Sequence, residues 1–185
     1  MIPPTTASAM SRRSGVLMMV SIVVMLVGCA PTPEPTPTPT AAFASEEEAF
    51  AAAEETYRAY TDAVNQVDFS DPSTFDAVYV LLSGASEAST RKVFSEFYAA
   101  KVRTIGLTKY DSFAGASADL ASGTISANVC VDVTEVDVVD ESGSSVVSPD
   151  RPARQPMLVT FDGAHGSGLV TISAQDPTDT FTCAS

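Results

Sequence analysis

The sequence predicts an α+β fold in which N-terminal helices pack on a bent antiparallel sheet of four to five strands. Up to Gly106 the apolar residues recur at helical spacing, and beyond it they alternate. Helices come first and strands after, the order of an α+β domain rather than of an alternating βαβ one. Residues 43–185 are enough for one such domain with a modest core.

The segments ahead of it read as an export leader and a tether. Arg12 and Arg13 form a positive start, and Gly15 to Gly28 supply 14 residues broken only by Ser21. A spanning helix needs about 20 apolar residues, so this stretch suits a cleavable signal peptide over 1–28. Leu26-Val27-Gly28-Cys29 has the shape of a lipobox, which makes Cys29 the expected site of lipidation by a diacylglycerol-type anchor carrying palmitate-like chains. An uncleaved membrane anchor is the competing reading. Ser11-Arg12-Arg13 suggests a twin-arginine signal, but Gly15 and Val16 stand where that motif wants bulky residues, which favours the general secretory route. The alternating prolines from Pro31 to Pro39 favour polyproline II, so residues 29–42 are expected to be a lipidated, extended tether reaching about 30 Å. The expected location is the extracytoplasmic face of the cell membrane.

Net charge narrows the partners. The chain carries −13, and removal of 1–28 takes two arginines and no acid, leaving eight cations against 23 acids. Nucleic acid and anionic membrane faces reward clustered Lys and Arg, so neither is an expected partner. Scarce lysine and abundant alanine are the bias of a high-GC genome and point to an actinobacterial type of host. With Cys29 committed to lipid, Cys130 and Cys183 remain as an even pair in an oxidising compartment. A disulfide between them is expected; the alternatives are two free thiols or a metal site. Against a metal, His165 is the only histidine and no Cys-x-x-Cys spacing exists.

Ser45-Glu46-Glu47-Glu48 is a capping box, followed by Phe50, Ala53, Tyr57, Tyr60, Val64 and Val67 on one helical stripe. Asp71-Pro72 restarts the chain as N-cap and first helical residue, and a short helix through Phe75, Val78, Tyr79 and Leu82 is expected to stop at Gly84. Ser86 is read as the cap of a third helix with Val93, Phe94, Phe97 and Tyr98 inward and Gly106 ending it. Leu107 to Phe113 reads as a strand. The clearest strand has Ile125, Ala127, Val129, Val131 and Val133 on one face, with Ser126, Asn128, Cys130, Asp132 and Thr134 on the other. Parity slips at Glu135, which predicts a β-bulge near Thr134-Glu135. Asp140 to Ser144 is a hairpin turn, Ser148 to Pro156 a loop, and Met157 to Phe161 and Leu169 to Ala174 are further strands.

No phosphate loop, zinc signature or nucleophile elbow occurs. His165 and Ser167 sit on a glycine-rich hairpin tip, which lacks the supporting shell that a catalytic pair needs. Asp132, Glu135, Asp137, Asp140 and Glu141 read as the wet face of a strand rather than as a calcium site. Arg91, Lys92, Lys101, Arg103 and Lys109 read as a solvated face answering the acids, or more sharply as a groove for an anionic ligand.

From Phe43 to Cys183 the order of elements resembles the nuclear transport factor 2-like (cystatin-like α+β cone) superfamily, and within it envelope lipoproteins of the actinobacterial type. The resemblance rests on the capped first helix ending near Val67, the aromatic helix Val93 to Ala100, and Val129-Cys130-Val131-Asp132-Val133 leading to Asp140-Glu141-Ser142-Gly143, with the late Cys183. It implies a cone around a pocket lined by Tyr57 and Tyr60, with Tyr79 and Tyr98 as further lining. Some members of the superfamily are steroid isomerases or polyketide cyclases pairing a carboxylate base with tyrosine or acid donors; others only bind. No position here matches a base, since Asp132 and Asp137 fit outward slots. The expectation is therefore a non-catalytic binding or protein-interaction module with no catalytic residue, cofactor or metal. Its partner would be an envelope protein or a small apolar ligand. A pocket enzyme of the isomerase or cyclase type is the alternative. A buried carboxylate facing Tyr57 or Tyr60 would favour that alternative.

Overall fold

The computed structural model describes residues 41–163 and 169–184, which all belong to one compact unit. The leader, Cys29, the proline tether through Thr40, and the glycine-rich tip with His165 and Ser167 lie outside the described residues.

Helix α1 spans Glu46–Val64. Ser45 accepts from the Glu48 N–H at 3.2 Å, while the Glu48 carboxylate reaches back to the Ala44 N–H at 2.8 Å. The three first-turn glutamates sit at the positive end of the helix dipole. The helix stops short of Val67. Asn65 at its C-terminus is tied to Thr108, donating to the Thr108 carbonyl at 2.8 Å and accepting from its N–H at 2.9 Å. A turn at Asn65-Gln66 then follows, closed by Val67 N–H on the Val64 carbonyl.

Asp71 caps a 3-10 turn, Pro72–Phe75, by accepting from the Ser73 N–H, and α2, Asp76–Tyr79, continues directly from it. Gly84 does not stop this helix but opens α3, Gly84–Ala100, with Ser83 as the extended N-cap residue. The reason is tertiary: Ser83 N–H donates to the Ile172 carbonyl and Ile172 N–H to that of Leu81, each at 2.9 Å. These bonds pin the α2–α3 connection to a strand edge, and Gly84 turns there with φ +54°. Ser86 accordingly lies inside α3, buried, rather than capping it.

Of the four α3 residues expected inward, Phe94 is buried and Phe97 half-buried, whereas Val93 and Tyr98 are exposed. The helix meets the core along one narrow line, where Phe69 stacks edge-on against both Phe94 and Phe97. It ends at Ala100 rather than at Gly106. Lys101 turns left-handed (φ 52°), with its N–H on the Tyr98 carbonyl and Val102 N–H on that of Phe97, a Schellman stop. Gly106 serves a close approach instead: a Cβ there would stand 2.0 Å from the Glu135 carbonyl oxygen.

Among the described residues six strands form two antiparallel sheets. The main sheet has the order β2-β3-β5-β6, from Lys109–Asp119, Thr124–Asp132, Arg154–Gly163 and Val170–Pro177. The second pairs β1, Arg103–Ile105, with β4, Asp137–Val139. The parity slip at Glu135 is therefore a turn between sheets, not a bulge: Val136 N–H closes on the Val133 carbonyl, and Arg151 donates to the carbonyls of both Val133 and Val136. The bulges lie in β2, near Asp111 and after Gly115, and in β6 at Ser173. Asp140 forms the expected hairpin turn, accepting from the N–H groups of Ser142 and Ser144.

Ile125, Ala127, Val129, Val159, Phe161 and Ile172 fill the face turned to the helices, each fully buried. On the outer face Cys130 is equally buried, because the C-terminal segment crosses it and Cys183 is bonded to it, with Cα atoms 5.5 Å apart. Among the described residues no helix is long and apolar enough to cross a membrane.

Candidate ligand cavity

Between α1 and the sheet lies a cavity of about 230 Å³, lined by Tyr57, Tyr60, Thr61, Val64, Thr108, Val131, Gln155, Met157 and Gln175. Strand register puts the last four side chains there. Val131 pairs with Gln155 and Val129 with Met157, on the face that carries Ile125 and Ala127. Gln175 pairs with the inward Val159 because the bulge at Ser173 shifts parity by one residue after Ile172. In the same way the bulge near Asp111 lets Tyr110 and Phe113 both face inward.

The Tyr57 ring meets Tyr60 at 5.8 Å between centroids and Tyr110 edge-on at 5.1 Å. Burial pushes the Tyr57 phenol well above its ordinary range, and the neighbouring Tyr60 and Tyr110 hydroxyls add to this. Burial likewise raises Tyr60, offset in part by the Gln175 hydrogen bond. Both hydroxyls are therefore protonated donors over the whole neutral range. Gln175 donates to Tyr60 at 3.3 Å and to the Ser86 hydroxyl at 3.1 Å. Met157 and Gln175 also line a neighbouring cavity of about 490 Å³ with Ala85, Ser86, Ser89, Ala174 and Asp176.

Of the four tyrosines singled out by sequence, only Tyr57 and Tyr60 share this cavity. Tyr79 packs outside it, beneath the Arg91 guanidinium at 3.8 Å from the ring centroid and against Phe94. Tyr98, half exposed, lines a separate groove with Phe69, Lys101, Val102, Arg103 and Glu141. Gln155, Met157 and Gln175 carry no sequence signal for this role, nor does Tyr110 for its contact with the Tyr57 ring.

The cavity lining contains no carboxylate and no histidine. The carboxyls with displaced titration, Asp68, Asp119, Asp132 and Asp140, are all held below the usual range by hydrogen bonds from nearby serine or threonine groups. Asp132 adds the charges of Arg154 and Lys109 to its Thr134 bonds. Among the described residues no cluster of three or more His, Cys, Asp or Glu is placed to hold a metal.

No protein-family model and no curated protein sequence matches the chain. Among solved structures, one similar chain is described as a candidate aromatic ring hydroxylase of Novosphingobium aromaticivorans, with TM-score 0.47, 14% identity, and coverage of 72% of this chain and 96% of that one. Another is a periplasmic fragment of TraM, with TM-score 0.42, 12% identity, and coverage of 73% and 98%. At these values neither likeness supports a statement about function.

Proposed function

We propose that this chain is a lipid-anchored envelope protein of the nuclear transport factor 2-like type, whose domain binds a small, uncharged, largely apolar molecule without transforming it. The observation that carries the reading is the cavity lining. Aromatic and aliphatic walls with a few convergent hydrogen-bonding groups are the composition of a ligand site. The Tyr57 and Tyr60 hydroxyls and the Gln155 and Gln175 amides supply those polar groups, and no lining residue can take a proton from carbon near neutral pH. Size points the same way. Drug-sized sites run to about 300–1,000 Å³, while an apolar cavity of about 150 Å³ holds one benzene ring. The 230 Å³ here suits a molecule of one or two rings rather than a steroid or polyketide. Anchoring rests on the lipobox at Cys29 and the short apolar stretch before it.

The test is titration of the full chain with a neutral one-ring phenol, compared with Met157→Trp, which fills the cavity. Saturable binding lost in a variant that melts normally is the expected result. Turnover of a ketosteroid-like or polyketide substrate that falls with Tyr60→Phe would instead establish the isomerase or cyclase alternative. For the anchor, metabolic labelling with palmitate should mark the wild-type chain and not Cys29→Ala; an unlabelled wild type removes that part of the reading.

A further inference from the structure

We propose a second site: the groove between the C-terminus of α3 and the β4 hairpin takes a small organic anion with a flat apolar body. The groove is separate from the tyrosine cavity and larger, about 660 Å³, within the range of small-molecule sites. Its floor is apolar, formed by Phe69 and Val102, both buried, and the half-exposed Tyr98 ring stands at its side.

The chemistry comes from Arg103. Every other cation in the described residues is engaged. Arg58, Arg91 and Lys92 pair with glutamates one turn away on their own helices. Lys101 pairs with Glu141, Lys109 with Glu135, and Arg154 with Asp111 and Asp132. Arg151 is spent on two backbone carbonyls. Arg103 alone has no ion pair or hydrogen bond from its guanidinium among the described residues, and it lines this groove. On a chain with net charge −13, with acids far outnumbering cations, an unanswered guanidinium beside exposed aromatic surface is a conspicuous exception. A planar guanidinium matches a carboxylate or sulfonate in two-point geometry and stacks on flat rings.

The Lys101–Glu141 pair completes the argument. Its 3.2 Å bridge spans the same groove, so the Glu141 carboxylate already occupies the second cation there. A bound anion would compete with Glu141 for Lys101. This makes Glu141 an internal restraint on affinity, and its neutralisation should improve binding.

Calorimetric titration of the full chain with 2-naphthoate, and with uncharged 2-naphthylmethanol as control, tests the site. We expect saturable naphthoate binding, weaker binding of the alcohol once Met157→Trp has filled the tyrosine cavity, and a loss of roughly fivefold in naphthoate affinity for Arg103→Ala. Glu141→Gln should tighten binding, added salt should weaken it, and Tyr60→Phe should leave it unchanged. Absence of saturable naphthoate binding overturns the proposal. So does equal affinity for acid and alcohol in Met157→Trp, or an unchanged naphthoate affinity in Arg103→Ala. Loss of naphthoate in Tyr60→Phe would place the anion in the tyrosine cavity and also overturn it.

Discussion

Gln175 donates a hydrogen bond to the Tyr60 hydroxyl across 3.3 Å, so a side chain of the last strand holds a ring of the first helix. The same amide donates to the buried Ser86 hydroxyl on α3, joining three elements through one group. Replacing it with Gln175→Leu keeps the volume and removes both bonds. The expected cost is about 1–3 kcal/mol, the penalty for polar groups left unpaired, read as a lower denaturant midpoint. An unchanged midpoint would mean that water replaces the amide.

Alkaline stability should depend on the tyrosine cluster. The folded state raises Tyr57 and Tyr60 above 10.0, the ordinary phenol value, so it holds their protons more tightly than the unfolded chain does. Their contribution is complete below pH 10 and declines as pH rises beyond it, while the unfolded tyrosines ionise. Urea midpoints measured between pH 8 and pH 11 should fall more steeply for the wild type than for the double variant Tyr57→Phe, Tyr60→Phe. Parallel curves would contradict this linkage.

The bond between Cys130 and Cys183 closes a separation of 53 residues. In the chain-entropy account, a loop of that length is worth roughly 4 kcal/mol. Cys183→Ala should lower stability by that order and leave the buried Cys130 as a free thiol. In the unreduced wild type neither cysteine should react with an alkylating reagent; quantitative alkylation of both would exclude the link.

The ring of Phe50 lies directly on Gly115, where a Cβ would stand 2.6 Å from ring carbon. Gly115→Ala should therefore destabilise by about 1–3 kcal/mol through overpacking between α1 and β2. Adding Phe50→Leu should recover part of the loss, which a double-mutant cycle measures. Additive effects would show that the close approach is not the cause.

The local signals in the sequence held where one residue's own neighbours decide the outcome. Ser45 and Asp71 cap their helices with their side chains, as the first-turn patterns indicate. Ile125, Ala127 and Val129 face inward together, because alternation on a strand is a property of the strand itself. Asp140 builds its turn from bonds to Ser142 and Ser144, all within four residues.

What only the tertiary structure decided depends on partners far away in the chain. Gly84 starts a helix rather than ending one because Leu81 and Ser83 are bonded to Ile172 on a distant strand edge. The slip at Glu135 moves the chain into a second sheet, since β4 finds its partner in β1, some thirty residues earlier. The cavity shows the same division. Tyr57 and Tyr60 were legible as a helical stripe, but Gln175 and Tyr110 face inward only because single-residue bulges reverse the parity of β6 and β2. Such a bulge leaves no periodic trace. Its position is set by where the paired strand's hydrogen bonds fall, and no local pattern in one segment records the register of another.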